Sequence, residues 1–229
     1  MSLAQSALRT RPIPDGVADG ERSELDKLVG IGITIEAAAG QTIVLEGDPC
    51  THCFRVLSGA VRLYKGTADG RRQLIDFLVA GDSFGLLGAR YSYGVEAITG
   101  STLVRASRPT LAAAVREQPE MAERLIERAA AELARAHEQM LLLGRKNAQE
   151  RVASLLVDLA RRLGADAARP AYRLPISRQE MADQLGLTIE TVSRTMTRLK
   201  EAGFIALPTP HDIVLLHPAE VTALAEGAA

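Results

Sequence analysis

The chain has 229 residues, of which 47% are hydrophobic, with two cysteines and no tryptophan; that is enough apolar chain for two ordinary domains, each with a buried core. No run of about 20 apolar residues marks a membrane span, and the N-terminal stretch MSLAQSALRTRPIPDG lacks the apolar centre of a signal peptide, so the expectation is a cytoplasmic protein with no membrane partner. The net charge of −1 excludes a chain that attracts polyanions by bulk positive charge, so any nucleic-acid surface has to be local.

In chain order, residues 1–24 read as an N-terminal arm and 25–118 as a β-rich domain. From about Ile31 to Arg108 the runs QTIVLEGD, FRVLSGAVRLYKG, RRQLIDFLVAGDSFG and GVEAITGSTLVRAS alternate short strand patterns with glycine, which predicts a compact antiparallel barrel or sandwich. The segment KGTADGRRQ reads as an exposed hairpin tip. Cys50 and Cys53 form a CxxC pair around His52. Two readings are open for it: small buried hydrophobes entering a strand, or a thiol redox pair or half of an intersubunit metal site. A thiol oxidoreductase is a more distant third, because the expected βαβ context is missing. The four histidines are scattered and no Gly-rich phosphate loop precedes a helix, so the chain is expected not to be an enzyme.

Residues 119–146 switch to a long helix. Ala122, Ile126, Ala129, Leu133, Ala136, Met140 and Leu143 recur at alternating steps of four and three, a sustained heptad seam. Such a stripe pairs with a second copy of itself or packs on the chain's own barrel. Met121, Leu125 and Leu141 are available for the second purpose.

Residues 147–229 open with the amphipathic stretch NAQERVASLLVDLARRLG and lead into ISRQEMADQLGLTIETVSRTMTRLKEAGF. Ser177 followed by Glu180 is a capping box, which starts a helix at Arg178. Met181, Ala182 and Leu185 form its apolar face, and Gly186 supplies the turn. A second helix, capped by Thr188 and ended at Gly203, buries Val192, Met196 and Leu199 and leaves Glu190, Ser193, Arg194 and Thr197 on another face. Two short helices around a glycine turn read as a helix-turn-helix, whose second helix enters the DNA major groove. The competing reading is a plain helical hairpin in which Glu190 and Arg194 make only a surface ion pair. FIALPTPHDIVLLHP then reads as a β-hairpin, giving a winged module. Arg173 to Lys200 holds five basic residues against three acidic ones, a modest local surface for phosphates. The fold class is therefore α+β.

With these parts in this order the chain resembles the CRP/FNR family of transcription regulators. The resemblance runs over nearly the whole chain from about Leu25 and rests most on LLLGRKNAQERVA and ISRQEMADQLGLTIETVSRTMTRL. It implies an N-terminal β-roll of the cyclic-nucleotide-binding type, a long dimerisation helix and a C-terminal winged helix-turn-helix. It also implies a homodimer on an inverted-repeat operator with half-sites like TTGA and TCAA, acting as an activator with RNA polymerase, toward which KGTADGRRQ would face. The family's base-reading positions fall on Ile189, Glu190, Ser193 and Arg194, and its phosphate-contacting positions on Arg178, Gln179 and Thr191. Glu190 with Ser193 and Arg194 is similar to the FNR and FixK branches. The chemistry agrees, since Arg donates twice to guanine O6 and N7 and a carboxylate accepts from cytosine N4.

Relatives that bind cyclic AMP carry a Glu for the ribose and an Arg for the phosphate. Leu86 stands in place of the Glu, and Tyr93 and Gly94 in place of the Arg-Ser pair. A buried phosphate without its cation is costly, so cyclic nucleotide is not expected, although Arg90 lies near. An iron–sulfur cluster held by four cysteines of one chain is excluded, since the chain has two, and Arg105 stands where the family's more distant cysteine would be. In FNR an acidic residue falls where Ala136 stands. The resemblance thus implies a dimer without cofactor, with an effector-gated sensor of a small molecule, metal or redox signal at Cys50 and Cys53 as the alternative.

Overall fold

The computed structural model describes residues 9–11, 32–66, 72–166 and 168–227. The chain divides into two compact units, Met1–Leu133 and Ala134–Ala229.

The first unit is built on two antiparallel sheets. Its strands are β1 (Arg9–Arg11), β2 (Ile33–Ala37), β3 (Thr42–Val44), β4 (His52–Ser58), β5 (Ala60–Gly66), β6 (Arg72–Val79), β7 (Ser83–Phe84), β8 (Gly94–Ala97) and β9 (Ser101–Ser107). One sheet has the order β1-β2-β9-β4-β7 and the other β3-β8-β5-β6. Alternate residues face inward, as pleating requires: Phe54, Val56, Leu103 and Ile35 from the first sheet meet Val61, Leu63, Val95 and Ala97 from the second in one core. Phe54 and Phe84 stack there with centroids 4.7 Å apart. The turn from β4 to β5 needs glycine, because Gly59 sits at φ +82 and a Cβ would run into Ser101 and the Gly100 backbone. Strands β5 and β6 pair out to Gly66 and Arg72, so KGTADGRRQ joins paired strands, but its residues 67–71 lie outside the described residues. Of the N-terminal arm only β1 is described; it pairs with β2 in the register Arg9↔Glu36.

Strand β9 runs directly into a helix that the strand-rich pattern did not predict, α1 (Arg108–Glu117). Ser107 caps it by accepting from the Thr110 N–H at 3.2 Å, and Pro109 opens its first turn. Its sequence signal is weak because Leu111 is its one fully buried residue. Together with Met121 at the start of α2 (Pro119–Arg145), Leu111 closes a second apolar cluster over Cys53, Leu86 and Ala106.

The second unit contains the end of α2, then α3 (Ala148–Arg162), β10 (Ala171–Arg173), α4 (Arg178–Leu185), α5 (Ile189–Glu201), β11 (Ile205–Ala206), β12 (Asp212–Leu215) and α6 (Pro218–Ala225). A capping box of Asn147 and Glu150 starts α3, which buries Val152, Leu155, Leu156 and Leu159. The predicted hairpin is present as β11 and β12, and β10 adds a third strand through Ala171↔Val214 and Arg173↔Asp212. Helix α6 packs Val221, Leu224 and Ala225 against α3. Among the described residues no helix is long and apolar enough to cross a membrane.

Candidate nucleic-acid interface

Helix α4 begins at Arg178 as its capping box dictates: the Ser177 hydroxyl accepts from the Glu180 N–H at 3.2 Å, and Glu180 accepts from the Ser177 N–H at 2.7 Å. Gly186 ends it in the left-handed region, at φ +61. Thr188 then caps α5 by accepting from the Thr191 N–H at 3.2 Å. Val192, Met196 and Leu199 are fully buried, at roughly 1.5–3 kcal/mol per side chain, and this fixes which face of α5 is left outside.

That face carries Ile189, Glu190, Ser193, Arg194 and Thr197, all exposed. The structure therefore brings the four expected base-reading side chains together on the first two turns of one helix. Glu190 and Arg194 form no ion pair or side-chain hydrogen bond among the described residues, and both side chains are exposed. Of the expected phosphate-contacting residues, Gln179 is exposed and donates to Asp183 at 2.8 Å, while the Thr191 hydroxyl lies 3.0 Å from that of Thr188. Arg178 is half-buried beside Tyr172 and points an N–H at the Met181 sulfur, 3.2 Å away. Burial lowers its pKa, a shift the nearby Tyr172 opposes. In the wing, the exposed turn between β11 and β12 is tied by the Thr209 hydroxyl, which donates to Asp212 at 2.7 Å.

The heptad seam of α2 is uncovered in the single chain. Ile126 is 69% exposed, Leu133 58% and Met140 63%, whereas Met121 is buried in the apolar cluster under α1. One expectation is corrected: Leu141, offered as a residue that packs on the chain's own barrel, is exposed, and the buried neighbour is Leu142. The step of one residue moves the side chain by about 100° around the helix, which periodicity alone resolves poorly at a helix end.

Residues 150–224 match the family described as a Crp-like helix-turn-helix domain, and residues 34–118 match the cyclic nucleotide-binding domain. The nitrogen fixation regulation protein FixK of Bradyrhizobium diazoefficiens is 39% identical over 221 residues, covering 96% of this chain and 92% of that protein. FixK of Azorhizobium caulinodans is 44% identical over 204 residues, covering 87% and 82%. The solved structure of FixK2 from Bradyrhizobium japonicum superposes with a TM-score of 0.79 at 37% identity, covering 85% of this chain and 97% of that one.

The chain belongs to the CRP/FNR family. It falls in the FixK-like branch and is a sequence-specific DNA-binding transcription regulator.

In this regulator Leu86 and Tyr93, at the positions expected for nucleotide ligands, are packed against the chain itself. Leu86 lies in the apolar cluster with Cys53, Ala106 and Met121. The Tyr93 ring packs against the roll core, and its hydroxyl accepts from the Gly85 N–H at 3.3 Å. Burial pushes the Tyr93 phenol up to about 12. At Gly94 a side chain would strike the Tyr64 ring. Arg90 is exposed and donates to the Gly47 carbonyl at 2.6 Å.

Both thiols are buried and free. Cys50 donates to the Gly85 carbonyl at 3.3 Å, and Arg108, which also donates to the Leu86 carbonyl at 2.7 Å, approaches its sulfur at 3.7 Å. Burial raises the Cys53 thiol to about 11, so it stays protonated at neutral pH. Beside them, burial first and Arg105 second lower the pKa of His52. Among the described residues no group of His, Cys, Asp and Glu is arranged to hold a metal ion.

Arg151 was not anticipated. Its guanidinium donates to the carbonyls of Lys146 at 2.8 Å, Leu185 at 2.8 Å and Leu143 at 3.0 Å. The stretch GRKNAQERVA contains it, but no spacing rule connects it to Leu185, 34 residues on.

Proposed function

We propose that this regulator binds, as a homodimer, an inverted-repeat operator with half-sites like TTGA and TCAA, does so without cyclic nucleotide, and acts in the cytoplasm as an activator alongside RNA polymerase. The observation that carries the reading is the exposed, unpaired presentation of Glu190 and Arg194 at the start of α5. Arg194 would donate to a guanine and Glu190 accept from a cytosine, with Ile189 and Ser193 lining the same groove. Arg178, Gln179 and Thr191 would meet the flanking phosphates, which position the helix without reading sequence.

The pairing surface is the seam from Ala122 through Ile126, Ala129, Leu133, Ala136 and Met140 to Leu143. Its exposed apolar stripe supports pairing with a second copy, and two-fold symmetry would set the two α5 helices about 34 Å apart on one face of the duplex. In this reading the molecule works as a β-roll (25–118), a dimerisation helix (119–146) and a DNA-binding domain (147–229), and its activity is binding, not catalysis. Tyr93 and Leu86, at the positions expected for nucleotide ligands, favour a dimer that needs no nucleotide, and the buried, protonated Cys53 favours an inert role for the cysteines.

The test is a base-substitution series. The guanine paired with each proposed Arg194 contact is replaced in turn, and affinities of the parent protein and of Arg194→Ala are compared. The parent should lose affinity at that one position of each half-site, and the variant should not distinguish the substituted site from the original. Equal discrimination by both proteins would remove Arg194 from the reading.

A further inference from the structure

The triple hydrogen bond of Arg151 joins two helix ends that belong to different tasks. The Leu143 carbonyl belongs to the last turn of α2 and that of Lys146 to the residue directly after it, and Leu185 is the last residue of α4, with only Gly186–Thr188 before α5. Each helix C-terminus carries unpaired carbonyls and about half a negative charge, so bringing two together is unfavourable unless a cation lies between them. The planar guanidinium, with five N–H groups in a fixed fork, serves three carbonyls at once, which a lysine ammonium at the end of a flexible stem does not reproduce. The Gly186 turn lies within van der Waals reach of it: a Cβ on Gly186 would lie 3.6 Å from Arg151 Nη1 and 3.6 Å from the Leu143 side chain. A second tie runs parallel, with Gln139 donating to the Gln184 carbonyl at 3.0 Å.

Leu143 is also the last residue of the proposed seam. The path from the two-fold axis to the bases is therefore short: Leu143, Arg151, Leu185, the Gly186 turn and α5.

We propose that Arg151 is a positioning residue that fixes the angle between the dimer helix and the recognition helix, and thereby makes the regulator selective for one spacing between half-sites. The proposal rests on the dimeric inverted-repeat reading. Adding one base pair between half-sites moves the second by about 3.4 Å and turns it by about 35°. A rigid junction does not follow that displacement. A loosened junction follows it but holds the second helix at a lower effective concentration over its site.

The experiment measures affinities of the full chain, Arg151→Met and Arg151→Lys for inverted repeats of one sequence whose spacer is lengthened or shortened by one and two base pairs, with dimerisation followed on the same samples. The parent should bind the best spacing at least about tenfold more tightly than its neighbours. Both variants, still dimeric, should bind the best spacing more weakly and the whole series within about threefold. Arg151→Lys keeps the charge and the apolar stem, so it carries the comparison where Arg151→Met does not fold. A variant that loses the same factor on every spacing, or loses nothing, overturns the proposal, as does a parent with no spacing preference. A parent that does not bind an inverted repeat at all overturns the operator reading beneath it, a different and recognisable result.

Discussion

Arg194 and Glu190 were readable from the sequence because helical spacing alone puts them opposite Val192, Met196 and Leu199, and the fold leaves them exposed as that spacing requires. Replacing Arg194 by Ala should cost about 1–3 kcal/mol on the specific operator and distinctly less on random DNA, because a phosphate contact would weaken both alike. Competition binding measures the two losses side by side. The cysteines behave differently. Their sequence leaves structural and redox roles open, and what separates these roles is the surroundings: Arg108 reaches Cys50 from 58 residues away, and Ala106 accepts from Cys53. A thiol held protonated to about 11 is almost devoid of thiolate at pH 7, so native Cys53 should react with iodoacetamide at least about 100-fold more slowly than a free cysteine. The sign of the linkage is definite. Raising the thiol above its ordinary 9.0 gives a contribution to stability that is present below about pH 9 and lost as the pH climbs through 11. Fast alkylation at neutral pH would contradict the inert role.

At the scale of elements, the long helix and both helices of the helix-turn-helix were legible because each combines a cap, a period and a stop. Three elements were not. Helix α1 has one fully buried residue, β10 is a three-residue strand in a proline-flanked stretch, and α6 is short and alanine-rich, so their form is decided by what they pack against and not by their own pattern. The seam of α2 is legible as a stripe, while the choice between a second copy and the chain's own barrel is not. The structure adds that the stripe is uncovered while Met121 serves the barrel. Ala136 lies in the middle of it. Ala136→Asp would set a carboxylate against its symmetry mate, a burial that costs several kcal/mol. Sedimentation should find this variant monomeric at micromolar concentration, with operator affinity falling in parallel because a single half-site is held weakly. A dimeric Ala136→Asp variant would move the interface elsewhere.

On the scale of the whole molecule, the order of parts was readable from the sequence: a β-roll, a long helix, then a winged helix-turn-helix. Leu86 and Tyr93 were readable as replacements for the nucleotide's partners, but what they pack against, and the approach of Tyr64 to Gly94, appear only where the strands bring them together. With Tyr93 packed against the core and Leu86 in an apolar cluster, millimolar cyclic AMP should leave the melting temperature unchanged, since a ligand that binds only the folded state must raise it. A clear rise would show that the roll still holds an anion. The most direct test of the central claim is titration of the full chain onto a duplex carrying TTGA- and TCAA-like half-sites as an inverted repeat about one helical turn apart, with the mass of the complex measured at saturation. Two chains should bind each duplex, and scrambling either half-site should lower affinity severely. One chain per duplex, or undiminished binding to the scrambled sequence, would contradict it.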